Sequence, residues 1–552
     1  MNHIRRSTRR SRLARSLPLM VAVATLAAAC GGSDDTADSD TSATAGPDSM
    51  AAETDGTTDG TSGDTTTDSS GDDTSTPAEG GTFRGAYYVG VSRFDPHKAT
   101  SSFDNTLLFI TYDRLVHQAP DASAVPGLAE SWEFSEDGSS ITFSLRDGVT
   151  FHDGEVFDAE AVKANIERGQ TVEGSAVVSE LSVIESVEVV DDLTVRFDLS
   201  GPAASLPLIL SDRPGAMVSP AAFDNPDLDT APVGAGMFTV SNYDEGASVT
   251  YQAYPDYWDP EAVNVDTIEM QIQADSSTRL NAARTGQIDW TFVDQNQVAD
   301  AEAAGLTLLP TLTLSSQHLQ LNRSREFFAD SRVRQAVNHA IDRESIVEAL
   351  LFGQGEASWQ IFPDGYFANS PDAATYPYDP DRARELLEEA GYADGFSFEV
   401  ITSAIPARVQ VAEAIQGQLA QVGITMSISQ VPGAQIADVF YAQEQYDAMW
   451  ASWGGRPDPS QTLALLYGAD GFANPGDQTT PEMEEAIAAT LQVGTEEERT
   501  ESLRAAVDVA QEEALDVVLF YESIAFVYDA DRVSGLEQWF SAKPEFRGVS
   551  VN

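Results

Sequence analysis

The clearest stretch of the chain alternates apolar and polar side chains. Ile141, Phe143 and Leu145 alternate with Thr142, Ser144 and Arg146, the period-two pattern of a half-buried strand. Asp147-Gly148 and Asp153-Gly154 supply turns on either side of Phe151. Asp158 then stands where its carboxylate caps a helix carrying Ala161, Val162 and Ile166. Strand, turn, turn and capped helix predict a rigid subdomain, not a catalytic motif. Residues 183–199 read as two strands around the Asp191-Asp192 turn. Helical spacing of Leu107, Leu108, Ile110, Tyr112, Leu115 and Val116 predicts a core-facing side before this subdomain.

Beyond it, residues 268–272 alternate as a strand and 276–288 form a short helix closing at Gly286. One helix is expected over 331–351, burying Val333, Ala336, Val337, Ala340 and Ile341 and stopping at Gly353. Asp379-Pro380 opens another, ending at Gly391. Strand 396–401, helix 406–422 and strand 424–429 have the spacing of a right-handed crossover unit, so this half is α/β. Residues 517–528 form a final, almost wholly apolar strand. The region 82–552 is too long for one ordinary core and should divide into lobes.

The N-terminus has a different character. Six arginines and no acid precede an apolar run, 17–29, too short for a bilayer span but suited to a secretory signal. The run ends in small residues before Cys30, the only cysteine in the chain, so no internal disulfide forms and the thiol is a candidate for lipidation. Ala27 stands three residues before the cysteine and Leu26 four. Arg9-Arg10 leaves a twin-arginine export route open beside the general one. Residues 30–81 are Asp, Thr, Ser, Gly and Ala with almost nothing apolar, the composition of a disordered acidic linker. The net charge is −57, and removing residues 1–29 takes away six arginines and no acid, leaving −63. Such a charge excludes nucleic acid and anionic membrane surfaces as partners.

The stretch 125–168 resembles family 5 of the solute-binding proteins of ABC importers, which includes dipeptide, oligopeptide and nickel binders. The resemblance lies in Pro126, Leu128-Ala129, Ser131-Trp132, Asp137-Gly138, Phe143, Leu145-Arg146, Gly148-Val149, Phe151-His152-Asp153-Gly154 and Val162. It extends to the Pro232–Phe238 turn, with Ala235 and Met237 where the family has Thr and Pro. It continues through Ala283 to Asp289, Leu319 to Asn322, and the run VRQAVNHAIDRESIV from Val333. The resemblance implies an α/β, bilobal periplasmic-binding-protein-like fold of type II, cluster C, with two hinge crossings and an extra subdomain in the first lobe. The expected divisions are a signal at 1–29, a linker at 30–81, lobe I at 82–315 with its subdomain at about 113–220, lobe II at 316–516, and a return to lobe I at 517–552.

The resemblance also locates the cleft. Trp453 ends an apolar strand before Gly454-Gly455-Arg456-Pro457. In peptide-binding relatives the third residue after this tryptophan is an aspartate that pairs with the peptide's amino group; here it is Arg456, in a loop one residue shorter. A guanidinium grips a carboxylate bidentately and cannot pair an ammonium. The preferred solute is therefore expected to carry an acid there, with any free amino group read elsewhere. Two arrangements stay open: Arg456 on the solute, or Arg456 paired with Asp458 or another acid and facing solvent. Trp453 is likewise either cleft lining or core. Asp458, Trp359 and Tyr112 complete the candidate ligand-binding set.

The expected function is a lipid-tethered, monomeric protein on the outer face of the cell membrane that captures a peptide or similar small solute for an ABC permease. A surface lipoprotein that senses solutes, or acts as an adhesin, is an alternative on the same fold. An exported hydrolase is a third class. No G-x-S-x-G, Walker, G-x-G-x-x-G or H-E-x-x-H motif occurs, so no catalytic residue, metal or cofactor is expected.

Overall fold

The computed structural model describes residues 80–537 and 543–552. The expected signal, Cys30 and nearly all of the linker lie outside the described residues.

An eleven-stranded sheet is the backbone of the molecule. Its order runs Ile424–Val431, Phe396–Ser403, Ala448–Trp453, Thr307–Leu321, Val517–Tyr528, Trp290–Val293, Thr82–Tyr87, Thr267–Ile272, Ser248–Ala253 and Phe238–Asp244, and Gly355–Ala357 pairs with Val517–Tyr528 off this path. The two lobes are the two ends of this order. Around the first end, Phe83, Leu107, Tyr112, Phe238, Ile268 and Trp290 form one core. Around the other, Leu319, Val333, Leu386, Phe398, Ile415 and Leu519 form a second. Two long strands pass between them. Thr307–Leu321 runs from Leu309, packed on the first core, to Leu319 and Leu321 in the second, and antiparallel Val517–Tyr528 returns from Val517 and Leu519 to Phe526. A pair of strands that crosses twice between two cores has the geometry of a hinge.

The subdomain has its own sheet, ordered Ala129–Phe134, Ser140–Leu145, Thr194–Leu199 and Ile184–Asp191. Ile141, Phe143 and Leu145 point inward against the helix Ala159–Thr171, whose Ala161, Val162 and Ile166 are buried. Asp158 caps that helix, its carboxylate accepting from the Ala161 amide at 2.9 Å. In the crossover unit Phe396–Ser403 and Ile424–Val431 pair in parallel, as the intervening helix Pro406–Ala420 requires.

Two local expectations are corrected. The helix foreseen over 331–351 is two helices, Ser331–His339 and Arg343–Leu350. Asp342 ends the first by starting the second, its carboxylate accepting from the Ser345 amide at 3.0 Å, and both halves still bury their apolar faces in the lobe II core. The side expected from 107 to 116 is one helical turn, Asn105–Leu108, followed by irregular chain and the strand Val116–Gln118. Its residues are core nonetheless, because tertiary packing rather than helical periodicity buries them.

Candidate functional site

A cleft of about 350 Å³ opens between the lobes. The crossing strands form its floor through Thr313, Leu314, Ser315, Gln317, Glu522 and Ile524. Phe103, Phe109, Arg114, Asp212, Lys543 and Glu545 line it from lobe I, and Arg408, Ser452, Gly454, Gly455, Arg456 and Pro457 from lobe II.

The lobe II wall follows from local chemistry. The strand Ala448–Trp453 ends at Gly454-Gly455, and a Cβ on Gly455 would lie 2.2 Å from the Leu314 Cβ, so only glycine lets this loop lie against the crossing strand. Pro457 then leads into Asp458, the N-cap of helix Pro459–Tyr467, whose carboxylate accepts from the Ser460 amide at 2.9 Å. The loop between is short and pinned at both ends, which sets Arg456 at the cleft. Its guanidinium lies 5.5 Å from the centre of the Trp453 ring, and its Nε is buried without a hydrogen-bond partner. Arg408, in the first turn of helix Pro406–Ala420, donates to Gln317 Oε1 and Ser452 Oγ, each at 3.0 Å.

The charges divide by lobe. On lobe I, Arg114 lies 2.7 Å from Glu545 and over the Phe109 ring at 4.1 Å. Lys543 lies 2.8 Å from Asp212. Burial works against the Asp212 carboxylate, yet Lys543 and Arg213 outweigh it and hold the acid well below the usual range. On lobe II, neither Arg408 nor Arg456 forms an ion pair among the described residues. Glu522, on the floor, is the one cleft carboxylate among the described residues without an ion-pair partner. Burial pushes its pKa up, and the nearby Arg408 charge opposes that.

Of the residues expected from sequence, Arg456 alone lines the cleft. Trp453 is 7 % exposed and packs into a lobe II core with Leu463, Leu466 and Val507, so it underlies Arg456 instead of presenting a face to the cleft. Asp458 is fully buried and pairs with Arg499, so it is neither a cleft residue nor the partner of Arg456. Trp359 donates its indole N–H to the Tyr376 carbonyl at 2.7 Å, under Arg343, away from the cleft. Tyr112 is fully buried in the lobe I core beside Gly234. The last three corrections share a cause: polar and aromatic side chains near a loop satisfy the protein's own interior first. Sequence reasoning missed Arg408 and Glu522. Glu522 did carry a signal, as the lone charge in VVLFYESIAFVY.

The sequence model of the Bacterial extracellular solute-binding proteins, family 5 Middle, matches residues 123–474. The chain belongs to this family. Members are transport-associated binding proteins, which sets aside the exported hydrolase. The family 5 protein described here is 28 % identical over 445 residues to the glutathione-binding protein GsiB of Salmonella paratyphi A, covering 78 % of this chain and 87 % of that one. It is similar in structure to HbpA2 from Haemophilus parasuis, with a TM-score of 0.77 and 25 % identity over 86 % of this chain and 100 % of that one. It is similar also to the periplasmic binding protein DppA from Helicobacter pylori in complex with the peptide STSA, with a TM-score of 0.70 and 25 % identity over 86 % of this chain and 98 % of that one. The family 5 assignment makes the protein an extracytoplasmic solute-binding component of an ABC importer. Among the described residues no helix is long and apolar enough to cross a membrane, and no group of three or more His, Cys, Asp or Glu is arranged to hold a metal ion.

Proposed function

We propose that this protein captures a small acidic solute, a short peptide or a peptide-like acid, and that Arg456 and Arg408 grip its carboxylate as the lobes close. The reading is carried by one observation: two guanidiniums face the cleft from lobe II with no ion-pair partner among the described residues, in a chain of net charge −57. A desolvated cation without a counter-ion is costly, and a bidentate carboxylate is the group that best offsets that cost. The glutathione and peptide named for the two relatives are of matching size and chemistry. Lobe I over 82–315, lobe II over 316–516 and the return over 517–552 are the proposed moving parts, and the closed form is the one the permease receives.

Titration calorimetry with acidic dipeptides and their C-terminal amides tests this. Charged hydrogen bonds contribute about 1.5–3 kcal/mol each, so Arg456→Gln should weaken the acids by roughly 10- to 150-fold and the amides little. Unchanged selectivity in Arg456→Asp would overturn the role of Arg456.

The N-terminal chemistry completes the proposal. Cys30 carries a lipid that holds a monomer at the outer face of the membrane, with residues 30–81 as the tether. Cys30→Ser should release the protein from membranes and abolish incorporation of a fatty-acid label; retention with label would refute the anchor.

A further inference from the structure

The floor of the cleft holds a carboxylate without an ion-pair partner among the described residues. Glu522 is the only charged residue in the strand Val517–Tyr528. Alternation along that strand buries Tyr521 on the far face, where its hydroxyl donates to the Gln360 carbonyl at 2.9 Å, and turns Glu522 and Ile524 toward the cleft. The other acids that line the cleft are already committed, Asp212 to Lys543 and Glu545 to Arg114, while Glu180, whose pKa burial raises, lies off the lining where the charges of Arg213, Arg456 and Lys543 act on it. Glu522 has neither an ion pair nor a side-chain hydrogen bond among the described residues. Arg408 is near enough to oppose the rise in its pKa, yet lies beyond ion-pair distance and spends two of its N–H groups on Gln317 and Ser452. A half-buried carboxylate without a counter-ion is costly, and a cationic group offsets that cost. It also stands on a strand that joins both lobes, so a solute held there is held at the hinge.

We propose that Glu522 is a cation subsite that takes the free ammonium of the solute while the lobe II arginines take its carboxylate. The solute class is then a zwitterion, an amino-acid-derived acid with an unblocked amino group. This deepens the acidic-solute reading and rests on it.

The test uses a library of acidic dipeptides, Ala-Glu and Glu-Glu among them, each in free and N-acetylated form, titrated into the full chain. Wild type should bind the free forms at least tenfold more tightly than the acetylated ones. Glu522→Gln, which keeps the side chain's shape and the strand's backbone pairing, should bring the free forms down to the acetylated level. The acetylated forms should stay within twofold of their wild-type affinity. A wild type indifferent to acetylation, or a Glu522→Gln protein that keeps the tenfold preference, overturns the subsite and leaves the acidic-solute reading intact. Failure of wild type to bind any member in either form overturns both. Circular dichroism and the melting temperature of the variant separate a fold defect from a lost contact, and Glu522→Asp should restore part of the preference.

Discussion

Asp458 offers the sharpest contrast between a ligand residue and a structural one. Its carboxylate is fully buried, caps helix Pro459–Tyr467 and pairs with Arg499, whose side chain is 15 % exposed. Asp458→Ala removes the cap, worth about 1 kcal/mol. It also leaves a guanidinium inside without its counter-ion, and breaking a buried pair in this way costs about 3–5 kcal/mol. The Arg499 Nε already lacks a partner, so no second acceptor stands ready. A lobe of roughly 200 residues gains about 0.4 kcal/mol per kelvin of unfolding entropy, so the combined loss of about 4–6 kcal/mol lowers the lobe II transition by about 10–14 °C. Asp458→Asn keeps an acceptor for the Ser460 amide and should recover about 1 kcal/mol of that loss. Scanning calorimetry and urea titration measure the stability, and titration calorimetry well below the transition measures the solute. In Asp458→Asn, which keeps the cap that pins the Arg456 loop, affinity should remain within twofold of wild type. Lost affinity at unchanged stability would mean that Asp458 reaches the solute after all, and no change in either would mean that the pair contributes nothing.

Two further outcomes follow from the same geometry. His97 is buried and His152 half-buried, with pKa values lowered to about 4, by desolvation in both and by Arg168 as well for His97. Each is neutral when folded and titrates near 6.5 when unfolded, so the unfolded chain binds the extra proton and stability falls as the pH drops from about 6.5 to about 4. His152→Gln should therefore reduce the loss between pH 6 and pH 5 by about 1 kcal/mol in urea titrations, and an unchanged pH slope would refute this. Gly455→Ala would drive a methyl group into Leu314 and displace the Arg456 loop, so it should weaken acidic solutes more than their amides; equal weakening of both would point to a general disturbance of the cleft.

Much of the architecture was legible along the chain, because its cues are local. Ile141, Phe143 and Leu145 declare a strand by alternation, and Asp158 and Asp379 declare helix starts by the spacing between a carboxylate and the amides it caps. The crossover unit announced a parallel pair by length alone. The same kind of cue was present at Asp458-Pro459, which repeats the Asp379-Pro380 pattern; read as a cap, Asp458 would not have been placed at the solute.

The cleft obeyed a different rule. The central strands are covered on both faces, so alternation in Ala448–Trp453 could not tell which side meets the solute, and packing turned Trp453 inward and Ser452 outward. Arg408 reaches the site from a distant helix, meeting Ser452 at a sequence separation of 44 and Gln317 at 91. Which charges are neutralised was likewise settled across long separations, Arg114 with Glu545 and Lys543 with Asp212. Sequence by itself determined the elements, their order and the family, since these depend on neighbours within a few turns of chain. Only the tertiary structure decided which arginines and which glutamate lining the cleft have no ion-pair partner among the described residues, because a charge is paired or free according to what the fold brings within a few ångströms of it.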